Sequence, residues 1–224
     1  MTTKTRRKVK LITTFVAMIV TLCMTCFGVL AATSVNYSMN GGITVGVTEK
    51  VAATVSGKYA VNGESAASLL FSQPNGGEAQ DEAQFTVDGS NEAFSGTITP
   101  PTLSTSSLTD YYTFTFYVTN DLTTDTLKVK LTSTLNNRAH LDYQDVDESV
   151  KAISYKVYET GEEDTVAVQN ITLVDGSISQ TTGDIVVPQG QTVEMTVRFG
   201  LVDSVANKES GFTANYSFGL IIQR

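Results

Sequence analysis

Tryptophan is absent from the sequence, histidine occurs once, at His140, and the two cysteines, Cys23 and Cys26, both fall in the first thirty-two residues. Each scarcity removes a class of chemistry. With no cysteine after Cys26, a Cys-His nucleophile is excluded from the remainder of the chain, and a lone histidine makes a zinc site only if several carboxylates complete it. A single histidine in Asn136-Asn137-Arg138-Ala139-His140, at a strand exit, reads as a surface residue. Without tryptophan there is no broad platform for a sugar ring, and nothing in the sequence sets two carboxylates in a cleft for glycoside hydrolysis. A domain free of disulfides must be held by its core alone.

Basic charge is also scarce, and unevenly spread. Five of the 15 basic residues (Lys4, Arg6, Arg7, Lys8 and Lys10) stand in the first ten positions, whereas all 23 acidic residues come after position 32. From Leu11 to Ala32 there is no charge, and the run closes on Val29-Leu30-Ala31-Ala32. A basic start, an apolar run and a small-residue ending make residues 1–32 a secretory signal helix, with cleavage expected at Ala31 and Ala32. An apolar run of about twenty residues also spans a bilayer, so an uncleaved anchor is the alternative. Residues 33–224 then form the mature chain, with 10 basic against 23 acidic side chains, a net charge of about −13. That balance excludes nucleic acid as a partner, since binding phosphate requires clustered lysine and arginine. A membrane enters only through the N-terminal segment if it stays uncleaved. The expected location is extracellular or cell-surface, and the absence of cysteine past the signal fits export from a Gram-positive cell.

The apolar residues after position 34 recur with period two, the signature of strands with one buried face. Val35, Tyr37 and Met39 alternate with polar residues, Asn40-Gly41-Gly42 reads as a turn, and Ile43, Val45 and Val47 resume the pattern. The alternation continues through Val51 to Val61, Tyr112 to Val118, Leu127 to Leu131, Ile153 to Val157, Val166 and Val168, Ile171 and Leu173, Val193 to Leu201 and Phe212 to Ile222. Lys128 and Lys130 mark a water-facing side or an exposed edge. Eleven or twelve short strands joined by Gly, Asn, Asp, Ser and Thr predict an all-β chain, an antiparallel β-sandwich or jelly-roll in one domain. Helix is expected only as a turn or two at Glu64 to Phe71 and Leu141 to Ala152, and a long loop over Gln73 to Ser95.

Three groups of residues carry candidate function. Asp142, Asp145, Asp147 and Glu148 form the densest carboxylate cluster. Such a loop offers the oxygens Ca²⁺ prefers, but it lacks the EF-hand spacing and its glycine, so a solvated acidic loop is the default and no cofactor is expected. Glu159, Glu162, Glu163 and Asp164 surround Gly161 in what reads as a hairpin turn. Tyr111 and Tyr117 fall on the face opposite Phe114 and Phe116; with those two in the core the tyrosines point outward, open either to glycan or a neighbouring subunit or to the packing of a loop over that face.

The basic start, the Ala-ending signal and the immediate entry into Thr/Ser/Val-rich strands resemble the TasA/camelysin-type secreted biofilm-fibre proteins of Firmicutes. Also similar are the proline-led approaches to aromatic strands, Pro100-Pro101 to Phe116 and Pro188 to Phe199, with Asn120 or Asp203 opening the next turn. The aromatic-Ser-Asp signature that usually follows cleavage in that family is replaced by Thr33-Ser34-Val35-Asn36, and the metallopeptidase motif His-Glu-x-x-His is absent. The resemblance implies a jelly-roll subunit that polymerises by inserting its N-terminal segment as a strand into the next copy, with Val35, Tyr37 and Met39 filling pockets. The expectation is therefore a secreted, non-enzymatic structural subunit of surface or biofilm-matrix fibre type, its partners itself or other matrix proteins. The alternative is a monomeric cell-surface module binding glycan or calcium.

Overall fold

The computed structural model describes residues 38–47, 51–71, 78, 80–87, 92–98, 111–136, 141–202 and 213–224. Ala31, Ala32, Val35, Tyr37, Pro100, Pro101 and His140 lie outside these residues. The described strands are β1 (Ser38–Val47), β2 (Val51–Val61), β3 (Ala67–Ser68), β4 (Glu82–Val87), β5 (Glu92–Ile98), β6 (Tyr111–Asn120) and β7 (Leu127–Leu135). The remainder are β8 (Leu141–Tyr143), β9 (Ile153–Glu159), β10 (Gln169–Asn170), β11 (Ser179–Thr181), β12 (Ile185–Val187), β13 (Gln191–Leu201) and β14 (Thr213–Gln223). There is no helix among the described residues. The chain is all-β.

The strands form two sheets. One has the order β11-β7-β14-β1-β5, with β12 also on β7; the other runs β10-β9-β13-β6-β2-β3, with β4 on β2 and β8 on β13. Their inner faces share one core, because alternate residues of each long strand point the same way. From the second sheet come Val55, Tyr112, Phe114, Phe116, Val193, Met195 and Phe199; from the first come Ile43, Val45, Leu127, Leu131, Tyr216, Phe218 and Leu220, all buried. Aromatic rings join the layers at the centre, with Phe114 4.9 Å from Phe218 and Phe199 5.1 Å from Tyr216 between ring centroids. Hydrogen bonds cross as well, among them the Tyr143 hydroxyl of β8 donating to the Ser133 carbonyl of β7 at 2.9 Å.

Several expectations require correction. Among the described residues pairing is antiparallel except in one place, where β1 runs parallel to β14 from Ser38 opposite Thr213 to Val47 opposite Ile222. The two ends of the described chain thus become neighbours, which no short turn brings about. Asn40-Gly41-Gly42 is no turn: β1 passes through it without a break, and Gly41 is absent from the glycines with positive φ. The helical turns expected at 64–71 and 141–152 are instead β3, a bridge at Phe71, β8 and a series of bends, since each carries too few apolar residues at helical spacing. The expected loop from 73 to 95 contains β4, which lies on β2, and the start of β5, which lies on β1. Val166 and Val168 belong to no strand, and Ile171 and Leu173 pack against the core from irregular chain. Lys128 and Lys130 mark a water-facing side and not an edge, because β7 is flanked by β14 on one side and by β11 and β12 on the other.

Candidate functional site

The candidate assembly site is the place β1 occupies. All ten of its residues pair in parallel with β14, and those from Gly41, opposite Ile98, to Val47, opposite Glu92, also pair antiparallel with β5. Of the residues predicted to fill pockets, Met39 stands in β1 opposite Ala214 of β14, while Val35 and Tyr37 lie outside the described residues. Ile43 and Val45, at 2% and 1% exposure, anchor the inward face. Among the described residues β5 pairs with no strand but β1, so β1 is what ties it to the sheet.

The carboxylate cluster is a folded loop whose groups serve its own backbone. Asp145 accepts hydrogen bonds from the Lys151 ammonium at 3.0 Å and the Ala152 N–H at 2.9 Å. Burial works to raise its carboxyl, but those bonds overcome it and the net direction is down. Asp147 Oδ1 accepts from the Ser149 N–H and hydroxyl, both at 2.7 Å, and from the Val150 N–H at 2.9 Å. The Ser149 hydroxyl bond, then the Val150 and Ser149 N–H bonds, hold the Asp147 carboxyl below the ordinary aspartate value. Asp142 accepts from the Tyr143 N–H at 2.7 Å, and Glu148 is exposed. The structure does not bring the four together, and among the described residues no three His, Cys, Asp or Glu side chains converge as a metal-binding group.

The Asp147 arrangement has a pH signature. Its folded-state pKa is depressed, so the stability it contributes is fully present above the unfolded aspartate pKa and is lost as pH falls through the folded one. Asp147→Ala is expected to be less stable than the parent at neutral pH, with the difference shrinking under acid. Denaturant midpoints measured across pH check this; a difference constant with pH contradicts it.

Tyr111 and Tyr117 do lie on the outer face of the second sheet, but neither ring face is bare. The Lys58 ammonium sits 5.2 Å from the Tyr117 ring centre, and the Arg198 guanidinium carbon 3.7 Å from that of Tyr111. The hydrogen bond with Tyr117 is the chief cause that raises the Lys58 pKa. Beside them Lys156 pairs with Glu194 at 3.3 Å and lies 5.4 Å from the ring centre of Tyr158, whose hydroxyl donates to Glu194 at 3.4 Å. Burial first, then Glu194, pushes the Tyr158 hydroxyl pKa up. The register sets Ser56, Tyr117, Glu194 and Lys156 on one rung across β2, β6, β13 and β9, residues remote in sequence and so invisible to local pattern.

Two buried amide side chains act as structural clamps. Asn120, buried at the end of β6, donates to the carbonyls of Asp125 at 2.8 Å and Val187 at 2.9 Å and accepts from the Leu122 N–H at 2.9 Å. Gln180 grips the turn before β11, accepting from the Val174 N–H and donating to the Val174 carbonyl, at 2.8 and 2.7 Å. An asparagine after an aromatic strand signals a turn; nothing local announces Gln180.

No protein-family model matches the chain, and no curated protein does. Among solved structures it aligns with the yeast delta-COP-I mu-homology domain complexed with the Dsl1 WxWxV peptide, at 8% identity over 85% of this chain and 97% of that one, TM-score 0.19. The same yeast domain without peptide aligns at 7% identity over 85% and 98%, TM-score 0.14. Superpositions this loose carry no argument about fold or function.

Proposed function

We propose that the chain is a secreted, non-enzymatic structural subunit of an extracellular surface or biofilm-matrix fibre, a jelly-roll type of sandwich that assembles by donating its N-terminal strand to another copy. The observation that supports this reading is the position of β1. The first described strand is held at its two sides by β14 and β5, and its departure strips both of their shared neighbour. A strand from another copy supplies the same main-chain hydrogen bonds, with alternate side chains filling the positions of Ile43 and Val45. The signal-like residues 1–32 end a few positions before Ser38, so cleavage there frees a terminus that leads directly into the strand. The resemblance to TasA/camelysin-type fibre proteins points the same way. A glycan-binding monomer has less support, because lysine and arginine already occupy ring faces of Tyr117 and Tyr111.

Electron microscopy of the secreted protein, with N-terminal sequencing, tests the proposal. Ordered filaments whose subunits begin near Thr33 are expected, and deletion of Ser34 to Val47, which removes the donated strand, is expected to abolish them. Dispersed monomers at all concentrations, or filaments that survive the deletion, overturn strand donation.

A further inference from the structure

We infer that Gly41 is the register key of the slot between β14 and β5: the Tyr216 phenol fills the space of a side chain there, so only a strand presenting glycine at that rung can seat. The inference holds for the chain's own β1; its extension to the strand of a second copy rests on the strand-donation reading.

Gly41 stands directly opposite Tyr216 in the parallel ladder. A Cβ placed on Gly41 meets Tyr216 Cζ and Oη at 2.3 Å and Cε2 at 2.5 Å, far inside van der Waals contact. The phenol has no easy retreat. Tyr216 is 2% exposed, and its ring is packed against Phe199, Phe114 and Phe218, with centroids at 5.1, 5.3 and 5.7 Å. Its hydroxyl has no hydrogen-bond partner among the described residues, although a buried hydroxyl ordinarily finds one. The ring is therefore held by shape, and the glycine completes that shape. An aromatic residue lying over a cross-strand glycine is a known means of pinning register.

A key is needed because β1 and β14 are far apart in sequence and no hairpin sets their alignment. A slide of one residue brings Gly42 to the rung but turns Ile43 and Val45 out of the core. A slide of two brings Ile43 or Met39 against Tyr216. One register remains. Gly46 is the internal control, since a Cβ there meets only the Leu220 carbonyl oxygen at an ordinary 3.7 Å.

The test uses the full chain carrying Gly41→Ala, Gly46→Ala, Tyr216→Leu, or Gly41→Ala together with Tyr216→Leu. Thermal unfolding is expected to show Gly41→Ala lowering Tm by about 5–10 °C, as overpacking in a domain of this size does, and Gly46→Ala leaving it nearly unchanged. Introducing Gly41→Ala into the chain that already carries Tyr216→Leu is expected to cost only a small part of that drop. An equal loss in both backgrounds, or none in either, overturns the key. Should Gly41→Ala alone fail to fold, the comparison of the Tyr216→Leu single variant with the double variant decides alone. For assembly, tagged Gly41→Ala protein is mixed with the parent under filament-forming conditions, and its absence from filament interiors is expected. Its incorporation at parent frequency overturns the extension to a second copy. If the parent forms no filaments, strand donation fails while the unfolding data still decide the key.

Discussion

Phe114→Ala is expected to destabilise the fold by about 3–5 kcal/mol, the range for truncating a buried aromatic residue. Phe114 is fully buried in β6, and its ring meets those of Phe218, Tyr216, Phe199 and Tyr59 at centroid distances of 4.9, 5.3, 5.7 and 5.9 Å. These rings come from β14, β13 and β2, and so from both sheets. A cavity shrinks only if its walls can move inward. Here each wall is tethered to a different strand whose register is fixed by its own ladder, so the void left by alanine stays largely open. A domain's whole stability is about 5–15 kcal/mol, so the loss consumes a large share of it. The measurement is the denaturant midpoint at unchanged slope. Phe114→Leu, which refills part of the space, is expected to cost less than half as much, and equal losses for the two substitutions contradict the cavity account.

This core was the most legible part of the molecule. Tyr112, Phe114, Phe116 and Val118 alternate with polar residues, and period two assigns them to one face without knowledge of the partner. The same rule found the inner faces of β2, β7, β13 and β14. It failed where the deciding contact is distant. Glycine after asparagine favours a turn locally, whereas the contact that a side chain at Gly41 would make is with a ring 175 residues further on, at Tyr216. Parallel pairing of β1 with β14 left no local trace for the same reason. The candidate site was legible as an N-terminal strand, but not the identity of its neighbours. The acidic loop shows a different limit: composition gave four carboxylates, but only the folded backbone shows that Asp145 and Asp147 turn to nearby N–H groups.

Asn120→Leu carries the second large expected effect, about 2–4 kcal/mol by the cost of stranding buried polar groups, despite nearly preserving volume. The asparagine amide donates to the carbonyls of Asp125 and Val187, and its oxygen takes the Leu122 N–H, so one side chain closes the crossing from β6 to β7 and ties it to the end of β12. The Asn120 carbonyl meanwhile accepts from the Gly190 N–H at 3.0 Å, which fixes the turn into β13. Leucine leaves the two carbonyls and the Leu122 N–H without these partners in a region with little access to water. Each stranded buried group costs about 1–3 kcal/mol, reduced where solvent can reach the partly buried Asp125 end. Asn120→Asp separates polarity from hydrogen bonding. It keeps the oxygen that accepts from Leu122 but turns a second oxygen toward two carbonyl oxygens, and at neutral pH it is expected to destabilise at least as much as leucine. Denaturant unfolding of both variants provides the check. If aspartate proves harmless while leucine costs the full amount, the two amide donor bonds contribute little and the Leu122 contact alone holds the crossing.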